Sequence, residues 1–340
     1  MSQDPIRIAI SGGGLAGASL IYALLQHPHL DVHIFESAPA FKERGAAVGI
    51  ARNALSALDL IGATACLERA GAVPQKGVCF MLAQGPDAGD SGVKIGQIDA
   101  EDDKHVVSIV HRAAFLKELL ANVPPERMHA SKKLEKIKFD DEERMTGPVT
   151  LTFGDGTTHE CDIIVGADGI HSALRGMILG DDPAAQPRNT GWWAIMALKP
   201  YAIAQASLGK TLVNIEDARQ YGWTGDGTWM MHDILSTYDF ALDPRVLGIA
   251  THHGPVHEIT CSQAFGLVED HALSDWPTDK ETGDGHQVQF IACAMNEEAQ
   301  GSDQWRTTVS VDELRQKFQD WPADLKKAVE DVSGPGTPLE

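Results

Sequence analysis

Three glycines and one carboxylate carry the first recognisable chemistry in this chain. Gly12, Gly14 and Gly17 stand at the spacing G-x-G-x-x-G, directly after Ile6, Ile8 and Ile10, which alternate with short or polar residues. Alternating apolar residues that run into a glycine cluster predict a buried strand entering a tight turn. Each glycine has a reason: Gly12 allows the turn, Gly14 lets a pyrophosphate approach the backbone, and Gly17 lets the next helix pack closely on the strand. That helix, about Leu15 to Gln26, carries Leu20, Ile21, Leu24 and Leu25 on its inner face. Its first amides, including those of Leu15 and Ala16, and the positive end of its dipole then face the phosphates. Residues 31 to 35 form a second strand ending in Glu36. A carboxylate there accepts hydrogen bonds from a ribose diol and repels a 2′-phosphate. The combination predicts a dinucleotide site but does not distinguish FAD from NAD.

Three further segments bear on that choice. Gly45-Ala46-Ala47-Val48-Gly49-Ile50 precedes Asn53-Ala54-Leu55, Val110-His111-Arg112-Ala113-Ala114-Phe115-Leu116 follows later, and Cys161 to Arg175 contains Gly166-Ala167-Asp168-Gly169-Ile170-His171-Ser172-Ala173-Leu174-Arg175. Alone, Arg112 reads as an arginine on a solvated helix face, and Asp168-Gly169 as a turn with an Asx hydrogen bond. Together, and in register with the elements around them, they resemble the group A flavoprotein monooxygenases, in particular the fungal salicylate hydroxylase-like branch. The last segment is similar to that family's G-A-D-G-x-x-S-x-x-R motif, the first to its G-A-G-I segment with Ala47 in place of the third motif glycine, and the middle one to its H-R-x-x-L. The resemblance implies FAD as cofactor, with Gly12, Gly14, Leu15, Ala16, Gly17, Glu36, Ala47, Gly49, Arg112, Asp168 and Gly169 contributing to its site.

The chain is strongly acidic: 340 residues carry a formal charge of −20, with 43% apolar residues. That length suits two domains and that apolar content suits substantial cores. The acidic balance opposes binding to nucleic acid or anionic lipid. No stretch is apolar enough to span a bilayer, and the start MSQDP lacks a basic region followed by an apolar one, so a cytoplasmic protein is expected. Five cysteines without a C-x-x-C pair fit reduced thiols and argue against a disulfide framework or a zinc site. His252, His253, His257 and Glu258 are the one metal-like cluster, and Gly254-Pro255 breaks the helix such a site needs. No metal is expected.

The expected fold is α/β: a Rossmann-like FAD-binding domain (1–75 and 105–180) with a second mixed-sheet substrate domain (76–104 and 181–300), then C-terminal helices (301–340). Residues 149–153 and 158–165 straddle Gly154-Asp155-Gly156 as a hairpin, and 76–82 and 93–98 read as strands. Gly191 to Pro200 reads as a strand of the substrate sheet, and by the family register Met196 stands where many relatives have an arginine. A thioether packs against a ring but cannot fix a carboxylate. Trp192, Trp193, Tyr221 and Trp223 are either pocket or sheet core; Tyr221 is the catalytic nomination, since the resemblance implies a tyrosine hydroxyl from a neighbouring strand.

Thr228 to Leu235 and Gln287 to Met295 read as strands, which the resemblance implies are two arms of one hairpin; between them lies an irregular insert at 236–286, a lid or, in preference, a surface loop or sequence foreign to the ancestral fold, whose ends should emerge close together. Ser302-Asp303-Gln304-Trp305 and Val311 to Trp321 resume a helical pattern, Lys326 to Val332 reads as a second helix, and Ser333-Gly334-Pro335-Gly336 ends it. The family's G-D-A-A-H segment would fall beyond Glu340, so the C-terminal part is expected to be truncated.

The resemblance implies an enzyme in which NAD(P)H reduces bound FAD, O2 forms a flavin C4a-hydroperoxide, and a small aromatic substrate is hydroxylated. The alternative is a truncated, catalytically silent relative with weak or no FAD binding. An NAD-linked dehydrogenase built on the same N-terminal turn is disfavoured by the Asp168-Gly169 segment.

Overall fold

The computed structural model describes residues 4–42, 47–100, 106–141, 146–180, 182–183, 186–236, 259–260, 285–299 and 308–331. Outside them lie Gly45, Ala46, the His252, His253, His257 and Glu258 cluster, Cys261, Ser302 to Trp305, Ser333 to Gly336 and nearly all of the 236–286 insert. The chain divides into two compact units, Met1–Glu43 with Leu55–Arg69 and Phe115–Pro187, and Arg44–Ala54 with Ala70–Ala114 and Arg188–Glu340.

The first unit is built on a four-stranded parallel sheet in the order Ile163–Gly166, Ile6–Ser11, Leu30–Phe35, Met128–His129. The helix Leu15–Leu24 follows the first strand. It ends two residues earlier than the sequence suggested, and its buried face is Gly17, Ala18 and Ile21. Small residues at 17 and 18 bring its axis close to the sheet, which leaves Leu20, Leu24 and Leu25 only half-buried. A three-stranded antiparallel sheet, Thr158–Cys161, Thr146–Phe153 and Leu134–Asp141, packs its apolar face over the parallel one. Phe35, Leu134, Val149, Leu151, Phe153 and Leu174 are the core of this layer. The hairpin turn at Gly154 to Gly156 lies where the glycines placed it, with Gly156 at φ +79.

The second unit contains a six-stranded mixed sheet in the order Trp192–Pro200, His286–Met295, Thr228–Ser236, Arg219–Gly225, Gly77–Leu82, Val93–Asp99. All neighbours are antiparallel except Arg219–Gly225 and Gly77–Leu82. The α/β class with a parallel sheet and a mixed sheet is thus as expected. The two arms flanking the insert do pair, from Thr228 opposite Ala294 to Ser236 opposite His286, so the insert leaves and returns at one strand end. One face of this sheet packs against Tyr201–Leu208, Val311–Lys317 and Ala323–Asp331 through Met230, Ile234, Phe290, Leu314, Phe318 and Trp321. Ser310 caps the middle helix by accepting the Glu313 amide at 3.1 Å. A smaller antiparallel sheet of Ala47–Ala51, Val107–His111 and Val73–Gln75 completes the unit. This pairing explains why Ala47 and Gly49 group with the second unit. Among the described residues, no helix is long and apolar enough to cross a membrane.

Candidate cofactor site

The first unit brings the two glycine-acid corners to one turn. Gly12 has φ +113, and a Cβ built on it would lie 2.2 Å from the Ala167 carbonyl oxygen and 2.7 Å from the Asp168 nitrogen. Only glycine lets the two loops approach this closely. The pairing is fixed from both sides: the Gly12 amide donates to the Phe35 carbonyl at 2.8 Å, and the Ala167 amide donates to the Ser11 carbonyl at 2.7 Å. Gly17 serves the helix, since a Cβ there would stand 2.0 Å from the Gly12 carbonyl oxygen.

Glu36 meets the same turn. The Gly13 amide donates to Glu36 Oε2 at 2.7 Å, while Oε1 accepts the Ala38 amide at 2.7 Å and the Ser37 hydroxyl at 3.0 Å. Each carboxylate oxygen accepts about two hydrogen bonds, so Oε2 keeps capacity for a hydroxyl donor. Gly14 caps the helix without any side-chain hydrogen bond, and Ala16 in its first turn is exposed. The first amides of a helix have no intrahelical acceptor, so Leu15, Ala16 and Gly17 present donors beside a carboxylate. Donors for a pyrophosphate next to an acceptor for a ribose hydroxyl is the donor set an FAD or NAD adenosine-diphosphate half requires. The residues present therefore fit that half of the cofactor.

Asp168 organises its own loop. Its Oδ1 accepts the Ser172 hydroxyl at 2.6 Å and its Oδ2 the Leu174 amide at 3.2 Å. Ser172 in turn accepts the Arg175 amide at 2.9 Å as the N-cap of Ala173–Leu179. The Arg175 guanidinium reaches back to the Gly169 carbonyl at 3.5 Å. Asp, Ser and Arg at these spacings thus form a self-bracing strand–turn–helix corner. Gly169 is at φ +72 with nothing within 4 Å of an added Cβ, so its outer side is open.

In the second unit the strand Ala47–Ala51 carries Ala47 and Gly49. The Ala47 amide donates to Gln289 Oε1 at 2.7 Å, and a Cβ on Gly49 would meet Val107 Cγ2 at 3.2 Å. Arg112 opens the helix Arg112–Leu120 and is half-buried. Tyr221 lies in the sheet core, stacked on His232 with ring centroids 5.0 Å apart, and its hydroxyl donates to the Thr211 carbonyl at 3.3 Å. Trp193 and Trp223 share that core, whereas Trp192 is exposed.

The opposite face of the sheet holds Met196, noted in the sequence, beside residues that the aromatic reading passed over. Residues paired directly across strands point to one face. Registry aligns Met196 with Ile291, Ile291 with Met231, Met231 with Gly222 and Gly222 with Phe80. The first four are half-buried and Phe80 is exposed, forming an apolar row with two thioethers and no cation. The signal was present in Arg219–Gly225, where Tyr221 and Trp223 share the phase of the buried face and Gly222 the other. Beside this row Asp233, Gln220 and Gln289 form a polar cluster that sequence reasoning also missed. Burial pushes the Asp233 carboxyl up to about 7, against hydrogen bonds from Gln220 and Gln289.

Comparison with known proteins gives the lineage. No family model matches the chain. It is 37% identical over 240 residues to 6-methylsalicylate 1-monooxygenase of Aspergillus terreus, covering 67% of this chain and 51% of that protein. It is 36% identical over 195 residues to a salicylate hydroxylase of Pseudomonas putida, covering 56% of this chain and 42% of that one. The chain thus spans about half the length of the curated relatives it matches. Its fold matches a salicylate hydroxylase substrate complex with TM-score 0.64 at 22% identity, over 96% of this chain and 66% of that one. It also matches Klebsiella pneumoniae HpxO complexed with FAD and uric acid, with TM-score 0.61 at 18% identity, over 95% of this chain and 64% of that one. The homologues of this chain are the salicylate hydroxylase-like FAD-dependent monooxygenases.

Proposed function

We propose that the chain binds FAD and serves the NAD(P)H- and O2-dependent hydroxylation of a small aromatic substrate. The observation that carries this reading is the meeting of Glu36 and the Ala167-Asp168 loop on Gly12-Gly13. FAD, when bound, supplies the hydride acceptance and oxygen activation that no side chain provides. The chain's own residues bind and orient. The amides of Leu15, Ala16 and Gly17 take the pyrophosphate, Glu36 Oε2 takes a ribose hydroxyl, and Arg112, Asp168, Gly169 and the Ala47–Gly49 backbone are assigned to FAD by resemblance.

Substrate binding is assigned to the half-buried row of Met196, Gly222, Met231 and Ile291. Thioethers and a bare glycine favour a flat, largely uncharged ring, and thioether–ring contacts add modestly to burial. The relatives' names refer to salicylate and 6-methylsalicylate; a row without a cation supports a ring whose carboxylate, if present, points elsewhere. The acidic composition supports a protein that binds neither nucleic acid nor anionic lipid.

The test is NAD(P)H oxidation by the FAD-loaded chain with salicylate or 6-methylsalicylate, with and without oxygen. Oxygen-dependent consumption with a hydroxylated product supports the reading. Oxygen-independent reduction of a carbonyl or oxidation of an alcohol would replace it with a dehydrogenase.

A further inference from the structure

Asp233 is a carboxylic acid with no exposed surface in the middle of a β-sheet, and Gln289 beside it is 2% exposed. A buried ionisable group is expensive unless it is hydrogen-bonded. Its two oxygens divide between two amides: Gln220 Nε2 donates to Oδ2 at 3.1 Å and Gln289 Nε2 to Oδ1 at 3.5 Å. The other end of the Gln289 amide is also engaged, because Oε1 accepts the Ala47 N–H at 2.7 Å. A chain of hydrogen bonds therefore runs from Gln220 through Asp233 and Gln289 to the first residue of the strand Ala47–Ala51.

The direction of that chain is determined. A carboxylate only accepts, so Gln289 must turn its NH2 toward Asp233 and its carbonyl toward Ala47. Reversing the amide would set NH2 against an N–H and leave a buried donor without an acceptor. We propose that Asp233 is a positioning residue that acts through Gln289 to hold the Ala47 N–H, so that its proton controls how the strand Ala47–Ala51 is presented. That this strand serves FAD rests on the function proposed above. A proton on either oxygen removes the anion that polarises the Gln289 amide; on Oδ1 it also weakens the acceptor that the Gln289 NH2 meets.

Asp233 is the titratable member of this hydrogen-bond chain. Burial raises it to about 7, and no charge contributes to that shift. His232 next to it and His111, paired with Ala47, are both held near 4 by burial and stay neutral in the relevant range. Arg219, adjacent to Gln220, is engaged with Asp217 and Asp99. Lys199 lies beside Leu198, the residue paired with Gln289. His286 sits at the strand end opposite Ser236.

The experiment is NMR of the chain labelled with 15N-alanine and 13C-carboxyl aspartate, without FAD, from pH 5.5 to 8.5. The Ala47 signal is assigned by its loss in Ala47→Ser. The expected result is an Ala47 amide shift that follows the Asp233 carboxyl signal, with a midpoint within about one unit of 7, and that disappears in Asp233→Asn and Gln289→Leu. An Ala47 amide that stays flat while Asp233 titrates would overturn the relay, and so would a titration that persists in Asp233→Asn. The wild-type carboxyl and amide signals decide the matter even if a variant fails to fold. FAD titrations at pH 6 and pH 8 form a separate arm. Affinity is expected to change about fivefold or more between them and to lose that dependence in Asp233→Asn. Absence of FAD binding beside a titrating Ala47 would sink the flavin reading and leave the relay standing.

Discussion

The Gly13 amide donates to the Glu36 carboxylate at 2.7 Å, so the acid assigned to the ribose also locks the glycine turn. Glu36→Ala removes a charged acceptor from both tasks. A hydrogen bond to a charged group contributes about 1.5–3 kcal/mol, so FAD affinity should fall about 10- to 100-fold, read by flavin fluorescence. Glu36→Gln keeps an acceptor for Gly13 and should fall between the two. Unchanged affinity in Glu36→Ala would remove Glu36 from the site.

Glycines in the turn and in the Asp168 loop should respond differently. Gly17→Ala places a methyl 2.0 Å from the Gly12 carbonyl oxygen, a clash with backbone that only movement of the helix relieves. A stability loss of about 2 kcal/mol or more, with loss of FAD retention, is expected. Gly169→Ala meets nothing within 4 Å and carries only the backbone cost of φ +72, about 1–2 kcal/mol. Thermal melts of the two variants, with and without FAD, check the order.

Tyr221 and Gly222 lie in opposite phases of one strand, and their variants separate the core from the proposed substrate surface. Tyr221→Phe gives up one hydroxyl bond to Thr211, about 1 kcal/mol of stability, and should leave turnover nearly unchanged. A Cβ on Gly222 meets only Trp229, at 3.6 Å, so Gly222→Ala should fold normally while raising KM for the aromatic substrate severalfold, and Gly222→Leu should be retained for kinetics only where its thermal melt matches the wild type. Turnover lost in Tyr221→Phe, with KM unchanged in Gly222→Ala, would reverse these assignments.

Buried titratable groups give the second unit a pH-dependent stability. Asp233 is raised to about 7 from its ordinary carboxylate range, so between about 4 and 7 the folded state holds a proton that the unfolded state has released. Its contribution is fully present below about 4 and is lost as pH rises to about 7. His111 and His232, lowered to about 4, act in the opposite sense: the unfolded state takes up their protons below about 6.5, so stability is lost on acidification. Denaturant melts should show Asp233→Asn flattening the decline from pH 5 to 8. A slope unchanged by the substitution would exclude Asp233 as its source.

The first unit was largely readable before any coordinates because its signals are local. Apolar alternation at Ile6, Ile8 and Ile10, the glycine spacing and Glu36 lie within one strand–turn–helix–strand run, and the Asp168, Ser172 and Arg175 spacing encodes its own hydrogen bonds. The second unit was readable in its strands but not in their phase. Tyr221 and Trp223 drew attention as aromatics, yet which face of a strand is buried depends on partners far away in sequence. The Asp233, Gln289 and Ala47 chain was invisible for the same reason, since it joins three elements on opposite sides of the insert. The helix after the glycine turn was read two residues too long because leucine periodicity continues past Leu24, where the backbone turns at Leu25.

If the loops at Glu36 and Asp168 form one nucleotide site, the purified, FAD-free chain should take up FAD when titrated with it. The expected result is saturable binding of one FAD per chain, with an altered visible spectrum, and parallel weakening in Glu36→Ala and in Gly12→Val, whose side chain would enter the space between Gly12 and Ala167. A folded chain that binds no FAD, or binds it equally well in both variants, would contradict it.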